Sequence, residues 1–252
     1  MAIALRKPQE IEKLRAANRV VAGALKLLEA HTKPGMSLKA LDLMAEDYIR
    51  SQGARPSFKG LYGFPSAVCI SVNEVIIHGI PNDYELREGD IVGYDIGTEL
   101  DGYFGDSAIT AAVGAVTPED EALIACAKDS LYYAVDVIRE GMRFKELSQL
   151  IEQFILERGF VPLRGFCGHG IGKRPHEEPE IPNYLEGNNP KAGPKIKNGM
   201  VFCIEPMICM KEGKAVILEN GWDVVSSDGL RGSHYEHTVA VVNGRAEILS
   251  KI

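Results

Sequence analysis

The residues best suited to chemistry begin in the stretch 91–106, IVGYDIGTELDGYFGD. Its β-branched and aromatic residues flank Asp101-Gly102, a pair that readily takes the φ > 0 conformations of a type I′ turn, so the stretch predicts two antiparallel strands in a hairpin. Counting outward from the turn, Leu100 faces Tyr103 and Gly97 faces Asp106. Asp95, two residues before Gly97, then shares a sheet face with its diagonal neighbour Asp106. Carboxylates at that range repel, and a shared proton, a basic partner or a metal ion would relieve them. The bland alternative is a solvated hairpin with its polar residues outward.

The elements that must position these acids occur twice. Residues 8 to 30 carry helical apolar spacing (Ile11, Leu14, Ala17, Val21, Leu25, Leu28), and a second helix follows, with Ser37 as N-cap and Gly53 as its stop. Residues 34–56, PGMSLKALDLMAEDYIRSQGARP, align without gaps on 140–162, EGMRFKELSQLIEQFILERGFVP, and the helix before the second copy opens at Thr117-Pro118-Glu119. The match continues into strands, where EGDIVGYDIG (88–97) resembles NGMVFCIEPM (198–207), and Asp106-Ser107-Ala108-Ile109-Thr110 resembles Glu236-His237-Thr238-Val239-Ala240. Acid meets acid at both places: Asp95 against Glu205, Asp106 against Glu236. Chance similarity of amphipathic helices does not easily explain the strand matches. The repeat, roughly 8–114 and 118–244, therefore predicts two similar α+β halves within one catalytic domain spanning 1–252, with four carboxylates at their junction.

One histidine sits among glycines in Phe166-Cys167-Gly168-His169-Gly170-Ile171-Gly172, which permit close approach to its ring. A lone loop histidine is usually a solvated or hydrogen-bonded side chain. Beside four acids it is a plausible fifth ligand. The set Asp95, Asp106, His169, Glu205 and Glu236 is rich in oxygen with one imidazole and suits Mn, Fe(II), Co or Zn. Bridging or bidentate carboxylates let five side chains hold two ions, a pair that activates water and polarises a carbonyl for hydrolysis.

Competing chemistries find no support. Gly168-His169-Gly170-Ile171-Gly172 is not GxGxxG, Gly172-Lys173-Arg174 fails as a P-loop, His176-Glu177-Glu178-Pro179 lacks the second histidine of HExxH, and no GxSxG elbow occurs. With 252 residues, 45% of them hydrophobic, the chain can bury a sizeable core. A net charge of −7 argues against general nucleic-acid binding, and the basic loop of Lys191, Lys195 and Lys197 does not offset it. No apolar run approaches the roughly 20 residues of a membrane span, and no secretory segment opens the chain, so the cytoplasm is the expected location. Five cysteines without a CxxC pair predict buried thiols rather than a disulfide framework or structural zinc site.

Together, Asp95-x10-Asp106, Gly168-His169-Gly170-Ile171-Gly172, Ile204-Glu205-Pro206 and Tyr235-Glu236-His237-Thr238, with Ser71-Val72-Asn73-Glu74 and His78-Gly79-Ile80-Pro81, resemble the methionine aminopeptidases, in particular the short bacterial type I form. The resemblance covers essentially the whole chain. It implies the pita-bread fold, a pseudo-twofold α/β arrangement, and removal of the initiator methionine from nascent polypeptides whose second residue is small. It makes the five residues above dinuclear metal ligands (Co, Mn, Fe, Zn or Ni), with Glu205 also general base. His78 would contact the scissile amide nitrogen and His176 the carbonyl oxygen. A monovalent cation would use main-chain oxygens near Asn73, Val75 and the segment before Tyr235. Phe64, Cys69 and Trp222 fall at methionine-pocket positions, with Phe58, Leu61 and Tyr62 nearby. The chain departs from the family pattern at Pro175, where an aromatic or large apolar residue is common, at Leu61, where tyrosine is frequent, and at Gly97, which replaces a usual threonine.

By the same resemblance the partners are nascent peptide N-termini and, transiently, the ribosome; charge and the lack of an apolar span predict no DNA or membrane partner, and a monomer is expected. The nearest rival is an Xaa-Pro aminopeptidase or dipeptidase of the same fold, which normally carries an extra N-terminal domain that the few residues before the first helix leave no room for. A further rival is a non-catalytic pita-bread binding protein that has lost its metals. The start Met1-Ala2 has the small second residue such an enzyme accepts.

Overall fold

A computed structural model describes residues 3–251; Met1 and Ala2 lie outside the described residues. The helices follow their caps and stripes. α1 (Pro8–His31) begins on a proline, whose missing N–H costs nothing in a first turn. Ser37 Oγ accepts from the Ala40 amide at the start of α2 (Leu38–Ser51), and Gly53 beyond its end stands at φ 75°. α3 (Pro118–Val137) opens on a reciprocal box in which the Asp120 amide donates to Thr117 Oγ1 at 3.1 Å and the Asp120 carboxylate accepts from the Thr117 amide. α4 (Phe144–Leu156) buries Phe144, Leu147, Ile151 and Ile155 along one stripe.

The strands of the first half are β1 (Arg55–Pro56), β2 (Val68–Val72), β3 (Val75–Ile77), β4 (Ile91–Leu100) and β5 (Tyr103–Ala112). Those of the second are β6 (Val161–Pro162), β7 (Cys167–Gly170), β8 (Glu177–Pro182), β9 (Val201–Ile204), β10 (Met207–Cys209), β11 (Ala215–Ile217), β12 (Val224–Ser226), β13 (Gly232–His234), β14 (Glu236–Val242) and β15 (Arg245–Ile248). The main sheet runs β1-β4-β5-β14-β9-β7-β8, with β2 also on β4 and β15 on β14; smaller sheets run β13-β10-β6 and β11-β12-β3.

The hairpin forms in the register that its turn dictates. Asp101 and Gly102 stand at φ 51° and 74°, Leu100 pairs with Tyr103, and Gly97 with Asp106. At the centre of the sheet β5 meets β14, pairing Ala108 with Glu236 and Ser107 with His237. Outside them, β4 lies on β5 and β9 lies on β14, pairing Cys203 with Thr238. The strands of matching sequence, β4 with β9 and β5 with β14, are thus arranged symmetrically about the β5–β14 seam.

Alternation separates the sheet into two faces. Val92, Tyr94, Ile96 and Ile109 pack against Leu25, Leu28, Leu41 and Ile49 of α1 and α2. Phe202, Ile204, Val239 and Val241 pack against Leu123, Leu131, Leu147 and Ile151 of α3 and α4. Each such side chain stabilises the fold by about 1.5–3 kcal/mol relative to exposure. The opposite face is left to Asp95, Asp106, Cys203 and Glu236. Asn18 of α1, fully buried, fixes the edge of that face: its Nδ2 donates to Leu14 O at 2.9 Å and its Oδ1 accepts from the Asp106 amide at 3.2 Å. α1 can come this close because residue 105 is glycine, where a Cβ would lie 2.8 Å from the Asn18 nitrogen.

Candidate metal centre and cleft

Five strand segments deliver five side chains to one place. Asp95 projects from β4, Asp106 from β5, His169 from β7 and Glu236 from the start of β14, while Glu205 follows β9. His169 Nε2 stands 3.5 Å from Glu205 Oε1 and 4.0 Å from Asp106 Oδ2. Asp95 and Asp106 lie side by side, close enough for each carboxyl to shift the other's titration. A proton or a cation between them is the relief that like charges so close require.

The electrostatics of this cage are unfavourable without a cation. Burial pushes the Asp95 carboxyl up to about 7. Burial first, and then the negative charge of the neighbouring acids, raises Asp106, Glu205 and Glu236 well above the ordinary carboxylate range. Asp95 Oδ1, Asp106 Oδ1 and Glu236 Oε1 are buried without a hydrogen-bond partner, a costly state for an acidic oxygen. Burial also lowers His169 to about 3, so its ring is neutral. The His169 Nδ1–H donates to Gly170 O at 3.0 Å, which turns the Nε2 lone pair toward the acids. A lone pair aimed at carboxylate oxygens is repulsive unless a proton or a metal cation stands between them. The orphaned oxygens and the neutral imidazole together fit a divalent ion.

Cys203 is the neighbour that sequence reasoning treated only as a buried thiol. Its Sγ lies with donor atoms of Asp106, His169 and Glu236 in a group spanning no more than 4.8 Å. Burial, and then the charges of Glu236 and Asp106, raise this thiol well above its usual range, so it stays protonated beside the acids. Its distance to Thr238 Oγ1 is 3.5 Å, and Thr238 Oγ1 donates to Asp106 O at 2.8 Å. The other cysteines are buried except Cys167, which is partly exposed in the cleft.

The glycines around His169 are required by space. A Cβ on Gly168 would lie 2.4 Å from Cys203 O, and one on Gly170 would lie 2.1 Å from Glu178 O. Gly170→Ala is therefore expected to cost about 2 kcal/mol or more of stability by overpacking, and to weaken metal retention by displacing β7, which carries His169, from β8. Thermal unfolding with and without Mn(II) measures both; wild-type values in both conditions would show that the strands accommodate the methyl group.

The acids form the floor of a cleft of about 480 Å³ that is also lined by His78, His176, Phe58, Phe64, Cys69 and Trp222. Phe64 and Trp222 meet edge to face with ring centroids 5.0 Å apart. His176 stands over His169 at 4.5 Å between centroids and has Tyr62 beside it at 6.1 Å. His78, at φ 61°, meets Phe166 edge-on at 5.5 Å, and burial lowers it to about 4, leaving a neutral ring. Every residue assigned to the site by sequence thus lines one cleft. Sequence reasoning missed His234, buried, lining the cleft, with Nε2 unpartnered. Its position two residues before Glu236 was the available signal, since strand alternation places such residues on a common face. Asn73, at φ 57°, lies beside the segment before Tyr235, its carbonyl accepting from the Gly232 amide at 3.2 Å. Lys191, Lys195 and Lys197 are exposed.

The chain matches the family described as metallopeptidase family M24 over residues 12–243 and belongs to that family. Within it, a methionine aminopeptidase of Helicobacter pylori is 62% identical over 252 residues, covering 100% of both chains. The crystal structure of methionine aminopeptidase from Thermotoga maritima superposes with a TM-score of 0.96 at 35% identity, covering 100% of each chain. A prolidase from Pyrococcus furiosus has a TM-score of 0.80 at 24% identity over 98% of this chain and 65% of its own, a likeness of fold alone. The architecture is the pita-bread fold, as the sequence resemblance implies.

Proposed function

We propose that this chain is a metallo-aminopeptidase that hydrolyses the N-terminal methionine from nascent polypeptides whose second residue is small, as a single catalytic domain over 1–252. The observation that carries this reading is the convergence of Asp95, Asp106, His169, Glu205 and Glu236 at the floor of a cleft whose wall is apolar and contains sulfur. These five residues hold two divalent ions, drawn from Co, Mn, Fe, Zn or Ni. Bound there, the ions supply Lewis acidity that polarises the scissile carbonyl and acidifies water.

The chain's own groups do the rest. Phe64, Cys69 and Trp222 hold the methionine side chain, an apolar and polarisable thioether. Glu205 takes a proton from the attacking water, and that proton is returned to the leaving amine. His78 hydrogen-bonds the scissile amide nitrogen. His176 donates to the carbonyl oxygen as negative charge develops there. His176→Ala is expected to lower kcat by roughly 100-fold or more, as for removal of an oxyanion donor, with the metal content unchanged. Metal analysis beside steady-state kinetics checks this, and loss of metal would place His176 among the ligands instead.

Asn73, Val75 and the segment before Tyr235 hold a monovalent cation. Among the described residues no helix is long and apolar enough to cross a membrane. The enzyme works in the cytoplasm as a monomer on nascent peptide N-termini, docks transiently on the ribosome, and has no DNA or membrane partner. Hydrolysis of Met-Ala-Ser compared with an Xaa-Pro peptide tests the function. Preference for Met-Ala-Ser is expected; preference for Xaa-Pro would move the chain to the proline-specific branch, and inactivity with every candidate metal would make it a binding protein.

A further inference from the structure

Gly97 faces Asp106 across the β4–β5 ladder, on the face that carries the acids. Its φ lies outside the left-handed region, so the backbone does not call for glycine there. Space does. A Cβ at position 97 would lie 2.2 Å from Ser57 Oγ, 2.4 Å from Phe58 Cε1 and 2.8 Å from Phe58 Cδ1. The Ser57 amide donates to Gly97 O at 2.9 Å, which ties the segment bearing Phe58 to β4 at this point. The Phe58 ring is 8% exposed and packs with Phe64 and Cys69, against which Trp222 also lies. Together with the Ser57 hydroxyl it fills the volume that a side chain at 97 would take, and the ring lines the same cleft as Asp95 and Asp106.

We propose that Phe58 and Gly97 act as one specificity-determining unit, in which the missing side chain at 97 admits the Phe58 ring to the wall of the cleft, where it limits the substrate's first side chain to a slender, unbranched one. The proposal rests on the aminopeptidase reading for the chemistry, but the pairing rests on packing alone. Rigid aromatic walls discriminate by shape because protein interiors are close-packed and yield little. A side chain branched near the backbone, or an aromatic one, meets the ring where a thioether chain passes beside it. Substituting either residue alone is therefore harmful in opposite ways. A smaller residue at 58 leaves a void, and a larger one at 97 drives the ring into the cleft.

The test is a double-mutant cycle on the metal-loaded full chain with Phe58→Ala, Gly97→Thr and both together, read as kcat/KM for Met-, Leu- and Phe-Ala-Ser. Phe58→Ala is expected to raise the Leu-to-Met and Phe-to-Met ratios about 10-fold or more, the usual scale for an altered apolar pocket, through KM more than kcat. Gly97→Thr alone is expected to weaken all substrates by about 10-fold or more on the same scale. In the double variant the threonine fills the void, so the ratios return toward wild type and Met cleavage exceeds that of Gly97→Thr. If Gly97→Thr does not fold, Phe58→Ala and the double variant carry the comparison. Thermal shifts with methioninol, leucinol and phenylalaninol read the same selectivity without turnover. Ratios within twofold of wild type in Phe58→Ala, by kinetics or by thermal shift, would overturn the unit, as would additive effects in the double variant. Failure of wild type to cleave any of the three peptides would instead remove the aminopeptidase reading, and the alcohol-induced shifts would still decide the pairing.

Discussion

Glu205→Ala is expected to lower kcat/KM by ~1,000-fold or more and to weaken metal retention together with it, because one carboxylate is assigned as both ligand and base. The structure explains the size of the effect. Glu205 stands 3.5 Å from His169 Nε2 and feels the charges of Asp95 and Asp106. Removing it takes a negative charge from the cage and leaves the attacking water without its acceptor. Two losses of different kind are combined, so Glu205→Gln separates them: it keeps the shape and an oxygen but loses basicity. Turnover near wild type in either variant, measured with metal content known, would refute the dual role.

Asp95→Asn carries the second large effect, and its sign depends on the metal. Asp95 is pushed up to about 7 in the folded protein, mainly by burial. A carboxyl raised in the folded state contributes stability that is fully present below its unfolded value near 4 and is lost as pH rises through about 7. At pH 8 the metal-free wild type has lost it, with Asp95 charged against its acidic neighbours. Asparagine cannot ionise, and it offers an amide N–H to the neighbouring Asp106 carboxyl. The metal-free variant is therefore expected to be more stable than metal-free wild type at pH 8, by ~1–3 kcal/mol once relaxation is allowed for. That advantage should shrink toward pH 5. With Mn(II) added the order reverses, because the wild type binds the ion and gains stability by mass action while the variant does so weakly. Urea unfolding in EDTA and in Mn(II) at both pH values checks this. A variant less stable than wild type in EDTA at pH 8 would show that the acids do not repel as described.

Much of this site was legible in the chain because strand geometry is countable. The Asp101-Gly102 turn sets the register, the register sets which residues share a face, and the repeat carries Asp95 onto Glu205 and Asp106 onto Glu236. Helix limits were readable for a similar reason, since Ser37 and Thr117 announce their caps locally. What escaped depends on contacts between distant segments. Cys203 looked like any apolar-strand thiol until the pairing with Thr238 placed it on the acidic face. His234 sits just before the break between β13 and β14, where counting along a strand is least secure. Gly97 stands out in sequence only as a departure from the family pattern, because the groups that occupy its side-chain volume come from Ser57 and Phe58.

An anomalous-difference map from a crystal soaked in Mn(II) probes the metal cage most directly. Peaks are expected among the side-chain oxygens of Asp95, Asp106, Glu205 and Glu236 and His169 Nε2, two in number at saturating metal. A map with no peak among these five side chains, and manganese bound elsewhere or not at all, would contradict the assignment of this cleft as a metallopeptidase centre.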